Sequence, residues 1–156
     1  RRVLLLGAGG AAQGVLMPLL QHGPAAMTIA NRTVDKALRL ANAARLRRKE
    51  TAVDLAGSGF DGLAGRRFDL VINATSSSLQ GEMPPLPAGV FASGALAYDM
   101  MYGRGLTPFL AFAERQGAAR LADGLGMLVE QAAESFFLWR GVRPETAPVI
   151  ELMRTQ

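Results

Sequence analysis

Apolar residues fall in short blocks, separated by breaks that contain glycine or proline, and the blocks alternate between two periods. Residues 3–6 are a continuous apolar run that stops at Gly7. Such a run reads as a strand covered on both faces, as in a parallel sheet. Residues 10–21 follow as helix, and Gly23-Pro24 ends it. A second short apolar strand spans 27–30. Thr33 then stands where a helix cap is expected, and Ala37, Leu38, Leu40, Ala41 and Ala44 form the apolar side of a helix running to about Arg48. Residues 51–55 give a weak third strand, 69–73 a stronger fourth and 96–98 a fifth. Thr107-Pro108 opens a helix that ends near Gly117, with Thr as cap and Pro in the first turn. The last long helix covers 124–139, and Pro144 and Pro148 bracket the start of a short terminal one. The Gly/Ser/Pro-rich stretches 56–65 and 76–89 read as loops.

Strand alternating with helix implies right-handed crossovers and an α/β fold: a Rossmann-like doubly wound parallel sheet, one domain over 1–156 with C-terminal helices. With 156 residues, 49% of them apolar and 19% charged, the chain can bury a core and is not a disordered tail. No apolar run approaches the ~18 residues of a membrane-spanning helix. Without cysteine, thiolate metal sites, disulfides and cysteine nucleophiles are excluded, and a single histidine builds no histidine-rich metal site. A reducing, cytoplasmic setting is compatible. The chain begins at Arg1-Arg2, directly before a strand, without an initiator methionine or the pattern of a signal peptide, and the expectation is one domain of a longer enzyme.

Gly7-Ala8-Gly9-Gly10-Ala11-Ala12 lies between the first strand and the first helix. It has the G-x-G-x-x-G/A spacing of a dinucleotide turn, with Ala12 in the third position. Gly7 permits the tight turn, Gly9 lets a pyrophosphate approach the backbone, and a small Ala12 lets helix and strand pack closely. The helix start offers free amides and the positive end of a dipole. The end of the second strand decides the nucleotide. An NAD site needs a carboxylate there, but the segment reads Ala30-Asn31-Arg32-Thr33, with Lys36 a helical turn further. A guanidinium, a hydroxyl and an amide suit a 2′-phosphate, so the reading is NADP. Charge agrees: residues 1–50 carry a net +7 and the remainder a net −3.

Beyond the turn, NRT with the following lysine, NATSSSL (73–79), YDMMY (98–102) and DGLGMLVEQA (123–132) occur in the order and roughly the spacing of the NADP-binding domain of the shikimate dehydrogenases, which the chain resembles over essentially its whole length. The resemblance implies roles by position. Gly7, Gly9, Gly10 and Ala11 would hold the pyrophosphate. Asn31, Arg32, Thr33 and Lys36 would grip the 2′-phosphate. Thr75, Ser76, Met100 and Gly124 would lie near the nicotinamide, and Tyr102 and Gln131 would reach the substrate. It implies NADP-dependent reduction of 3-dehydroshikimate to shikimate by hydride transfer, in aromatic amino-acid biosynthesis. That family's N-terminal substrate domain, with its catalytic Lys–Asp pair, is absent from these residues. Lys36 and Lys49, the only lysines, do not match that lysine, so no catalytic residue is assigned and the chain alone is expected to be inactive. Ser77-Ser78 stand where the family often has glycine.

Other features admit plainer readings. The 124–139 helix carries Met127, Leu128, Val129, Ala132, Ala133, Phe136, Phe137, Leu138 and Trp139, so it is expected to be buried on more than one side. The expectation is that residues 124–156 pack toward a substrate domain that shares the small-molecule site, and that the isolated chain exposes an apolar patch and associates into a homo-oligomer. Asp99 reads either as a functional acid or as a strand-end anchor, Asp123 as a helix cap, and His22 as an exposed helix end. The 45–49 basic cluster reads as a solvated helix end, because no aromatic residues interleave it to bind nucleic acid. Two alternatives to the enzyme stand: a non-catalytic NADP-binding regulatory or scaffold module, and a quinate/shikimate dehydrogenase relative, for which an acid near Asn31 is expected.

Overall fold

The computed structural model describes residues 1–47, 53–75 and 83–155. Six strands form one sheet: β1 (Arg2–Leu6), β2 (Ala26–Ala30), β3 (Asp54–Ser58), β4 (Phe68–Asn73), β5 (Phe91–Asp99) and β6 (Arg120–Ala122). Their order is β3-β2-β1-β4-β5-β6 and every pairing is parallel. The helices are α1 (Gly10–Gln21), α2 (Val34–Arg47), α3 (Pro108–Arg115), α4 (Leu125–Arg140) and α5 (Ala147–Arg154), with a 3-10 turn over Asp61–Leu63. This is the doubly wound α/β sheet that the alternation of blocks predicts.

Pleating divides β1 between two cores. Val3 and Leu5 pack with Ala12, Leu16 and Leu20 of α1 and Ala37 and Ala41 of α2. Leu4 and Leu6 face the other way, toward Phe109, Leu110 and Ala113 of α3. That two-sided burial is why residues 3–6 of the strand are all apolar, and Leu4, Leu5 and Leu6 are wholly buried.

Three expectations need correction. The third strand is Asp54–Ser58, not 51–55, so most of it lies in a stretch that composition marks as loop. It pairs with β2 from Ala26↔Asp54 to Ala30↔Ser58. A Cβ on its Gly57 would come within 2.7 Å of the Ala37 and Leu38 backbone of α2. The glycine therefore marks a close helix–strand approach, not a loop. Second, the fifth strand is nine residues long, and its pairing with β4 shifts register between Phe68 and Leu70. The shift and the interior Ser93-Gly94 hid its first half, and the three-residue β6 gives no periodic signal at all. Third, α4 buries only Leu125, Val129 and Ala133, one narrow stripe at four-residue spacing. Phe136, Phe137, Leu138 and Trp139 are exposed, the last at 80%. Among the described residues no helix is long and apolar enough to cross a membrane.

Candidate functional site

β1 and β4 are neighbours, but the chain leaves β1 toward β2 on one side and leaves β4 toward β5 on the other. At such a switch point the connections leave in opposite directions and open a crevice beyond the carboxyl ends of the strands. A cleft of about 620 Å3 occupies that place.

Its floor is the glycine turn. Gly7 has φ +104, and a Cβ there would sit 3.0 Å from the Ala74 carbonyl oxygen, so the turn itself demands glycine. Its N–H donates to the Ala30 carbonyl at 2.8 Å, which ties the turn to the end of β2. Gly9 and Gly10 differ: a Cβ on either would meet nothing within 4 Å. Nothing internal requires them to be small, and the space their missing side chains leave belongs to the cleft they line together with Gly7 and Ala11. Gly9 caps α1 without a side-chain hydrogen bond and the first turn carries no acid, so its free amides and dipole face the cleft uncompensated. Ala12 is fully buried against the sheet, as its small size predicts.

Asn31, Arg32, Thr33 and Lys36 line the β2 end of the same cleft. Asn31 holds the loop in shape. Its N–H donates to the Ser58 carbonyl at 3.1 Å and its Nδ2 to the Thr33 carbonyl at 3.0 Å. Thr33 does not cap α2 through its side chain, contrary to expectation. Its carbonyl accepts from the Lys36 N–H at 3.1 Å, and among the described residues its hydroxyl has no hydrogen-bond partner. Arg32 and Lys36 are exposed. The two ion pairs among the described residues, Arg2–Asp69 and Arg143–Glu134, use neither of them.

The far wall comes from the ends of β4 and β5. Thr75, Met100 and Met101 line it, and a buried network sets their positions. Asp99, with no solvent exposure, accepts from Thr107 Oγ1 at 2.6 Å, from Asn73 Nδ2 at 3.1 Å and from the Met101 N–H at 3.1 Å. Asn73 Oδ1 in turn accepts from the Thr75 hydroxyl at 2.7 Å and the Thr75 N–H at 3.2 Å. Thr107 caps α3 by accepting from the Leu110 N–H at 3.2 Å. Of the two readings of Asp99, the strand-end anchor is the one the geometry realises. Tyr98, half-buried just before it, has its phenol pushed above the ordinary tyrosine range by burial first and the Asp123 and Asp99 carboxylates second. It stays neutral well past neutral pH.

Gly124 does not line the cleft. It is buried against Met100, whose carbonyl a Cβ there would strike, and its N–H donates to the Met101 carbonyl at 3.1 Å. It seats the methionine wall. Asp123 accepts from the Leu125 N–H at 3.2 Å, one residue ahead of the formal cap. Tyr102 and Gln131 are exposed and lie outside the cleft lining. Each adjoins it: Tyr102 follows Met101, and Gln131 is one helical turn beyond Met127, which lines the cleft. Ser76, with Ser77 and Ser78, lies outside the described residues. Phe60, Met83, Pro84, Pro85, Met101 and Met127 line the cleft without having been singled out in that role. All but Met101 and Met127 sit in or next to stretches that composition marks only as loop. Of the basic cluster, Arg45 donates to the Leu55 carbonyl of β3 and to Asn42 Oδ1 at 3.1 Å, so it fastens α2 to the sheet. His22 is the exposed cap of α1.

Comparisons with known proteins agree with this geometry. A family model described as "Shikimate / quinate 5-dehydrogenase" matches residues 1–80, and one described as "Shikimate 5'-dehydrogenase C-terminal domain" matches residues 124–154. The chain is 64% identical over 155 residues to a shikimate dehydrogenase (NADP(+)) of Nitrosospira multiformis, covering 99% of this chain and 54% of that protein. An Ael1 enzyme from Pseudomonas putida superposes with a TM-score of 0.83 at 55% identity, over 97% of this chain and 54% of the other. A shikimate dehydrogenase solved in complex with NADP+ superposes with a TM-score of 0.72 at 34% identity, over 99% of this chain and 53% of the other. The chain spans about half the length of the curated relatives it matches.

Proposed function

The chain belongs to the shikimate/quinate 5-dehydrogenase family, and from that premise we propose that it is the NADP(H)-binding half of an enzyme that reduces 3-dehydroshikimate to shikimate. One observation carries the reading. The cleft that begins at the glycine turn ends at Arg32, Thr33 and Lys36; among the described residues their side-chain donors have no protein acceptor and no Asp or Glu lines the cleft. A ribose 2′-phosphate meets donors and positive charge there, whereas the paired ribose hydroxyls of NAD find no carboxylate to receive them. The cleft volume lies within the range of cofactor sites, and Gly9 and Gly10 leave room beside the α1 amides for a pyrophosphate.

The cofactor bound there supplies the hydride. The chain's own residues bind and orient. The amides at the start of α1 hold the pyrophosphate, and the 31–36 segment selects the extra phosphate. Thr75, Met100 and Met101, held by the Asp99 network, form a mostly apolar seat for the nicotinamide ring. Tyr102 and Gln131, at the rim, face the substrate side and offer orienting hydrogen bonds. The group that exchanges the substrate's hydroxyl proton belongs to the other half of the enzyme, and the exposed α4–α5 surface packs toward that half. The setting of the reaction is the cytoplasm.

Calorimetric titration of the 156-residue chain with NADPH and NADH tests the reading. NADPH is expected to bind at least ~10-fold more tightly, about 1.4 kcal/mol. Equal affinities would remove the assignment of Arg32 and Thr33. Shikimate oxidation is expected only once the remaining half is restored.

A further inference from the structure

A second groove runs between α1 and α2; it meets the cleft at Ala8, Gly9 and Lys36, and none of the roles above uses the rest of it. It measures about 560 Å3, well within the range of small-molecule sites. Leu16 and Met17 of α1 and Leu40 of α2 give it an apolar floor, while Lys36, Arg39 and Arg47 line its rim. Residues 36, 39, 40, 43 and 47 fall at three- and four-residue steps, so one face of α2 carries both rim and floor. Among the described residues no Asp or Glu lines the groove. Asp35 stands one helical turn before Arg39 yet makes no ion pair with it, and among the described residues none of the three cations has an ion-pair partner. Cations left bare on a flat helix face would need only water. Here they border a concave apolar floor, and that combination matches a molecule with a charged head and an apolar body.

We propose that the α1–α2 groove binds a free small anion with an apolar body, such as an alkyl or aryl phosphate or carboxylate. Lys36 lines both this groove and the cleft. One ammonium serves two anions poorly, so a ligand in the groove weakens phosphate binding in the cleft, and the weakening is reciprocal. The groove stands independently of the NADP assignment, and only this antagonism rests on it.

The test is titration calorimetry of the 156-residue chain with octyl phosphate, kept below its aggregation concentration, against inorganic phosphate and octanol. Octyl phosphate is expected to bind about tenfold more tightly than either control. Arg39→Ala/Arg47→Ala, and separately Met17→Glu, are expected to weaken it about tenfold, with unchanged circular dichroism. Arg39 and Arg47 do not line the cleft, so the double variant keeps its NADPH affinity while octyl phosphate ceases to raise the NADPH dissociation constant. Binding no tighter than inorganic phosphate would reduce the groove to bare charge. Binding that survives both variants would move the ligand to another surface, such as the exposed face of α4. Capture by phosphatidylglycerol vesicles in place of octyl phosphate would reassign the rim to a membrane. If NADPH fails to bind while octyl phosphate still depends on Arg39 and Arg47, the NADP reading falls and the groove remains.

Discussion

At Arg32 a guanidinium stands exposed at the end of β2, lining the cleft and engaged by no carboxylate among the described residues. Its removal costs no internal contact, so Arg32→Ala should leave stability nearly unchanged. The same substitution should cost on the order of 1–3 kcal/mol of NADPH binding, the worth of a charge-assisted hydrogen bond, with NADH affinity unaltered. Parallel titrations of wild type and variant with both nucleotides measure this, and an equal loss for the two would mean that Arg32 does not read the 2′-phosphate. Its neighbours show how far a residue's role can be read from its type. Arg32 and Lys36 line the cleft, because both lie just beyond β2 on a short segment whose direction that strand sets. Thr33 sits at the right position, but its hydroxyl is not used as a cap. Gly124 supports Met100 and not the cleft itself.

Among the elements, β3 shows what composition conceals. Gly57 reads as a loop residue but lies under α2, with the Ala37 and Leu38 backbone 2.7 Å from where its Cβ would be. Gly57→Ala should therefore push α2 from the sheet and destabilise the fold by about 1–3 kcal/mol, as overpacking does. Urea denaturation reads that loss, and an unchanged midpoint would mean that the helix yields freely. At the other edge of the core, Arg2 of β1 clasps Asp69 of β4 through its N–H at 2.7 Å and its guanidinium at 3.3 Å. The backbone donor first, and the guanidinium after it, hold the Asp69 carboxyl below the usual carboxylate range. A lowered pKa in the folded state adds stability above the unfolded value, and that stability disappears as pH falls through the folded one. Both side chains are substantially exposed, so the contribution is only ~0.5 kcal/mol. Asp69→Asn should be slightly less stable than wild type at pH 7, and the gap should close below about pH 4. A gap that widens in acid would reverse the sign assigned to this pair.

Taken whole, the described residues form one six-stranded sheet with an apolar helical surface left exposed. α4 and α5 pack on each other, yet Leu138, Trp139, Val142 and Leu152 are each more than half exposed. Trp139, the sole tryptophan, reports on that surface. Its emission should be that of a water-exposed indole in this chain, readily quenched by acrylamide. On the proposed reading of the chain as the cofactor-binding half of a longer enzyme, quenching should drop, with a blue shift, when the other half is joined to it. Emission already blue in the isolated chain at high dilution would mean that the surface is covered from within.

Local order along the chain settled a good deal of this protein. The apolar run 3–6 had to be a strand covered on both sides, because no arrangement with one wet face buries four consecutive large side chains. The turn at 7–12 and the acid-free 31–36 segment were legible because each acts through near neighbours, over one turn or the end of one strand. Folding in three dimensions decided the rest. Whether Gly57 belongs to a strand depends on a helix that crosses it about twenty residues away in the chain. Which methionines and prolines wall the cleft depends on β4 and β5 ending side by side. What Asp99 does depends on Asn73 and Thr107 meeting it from two other elements. Those contacts join residues far apart in the chain, so they have no periodic trace in it, and only closure of the sheet brings them into being.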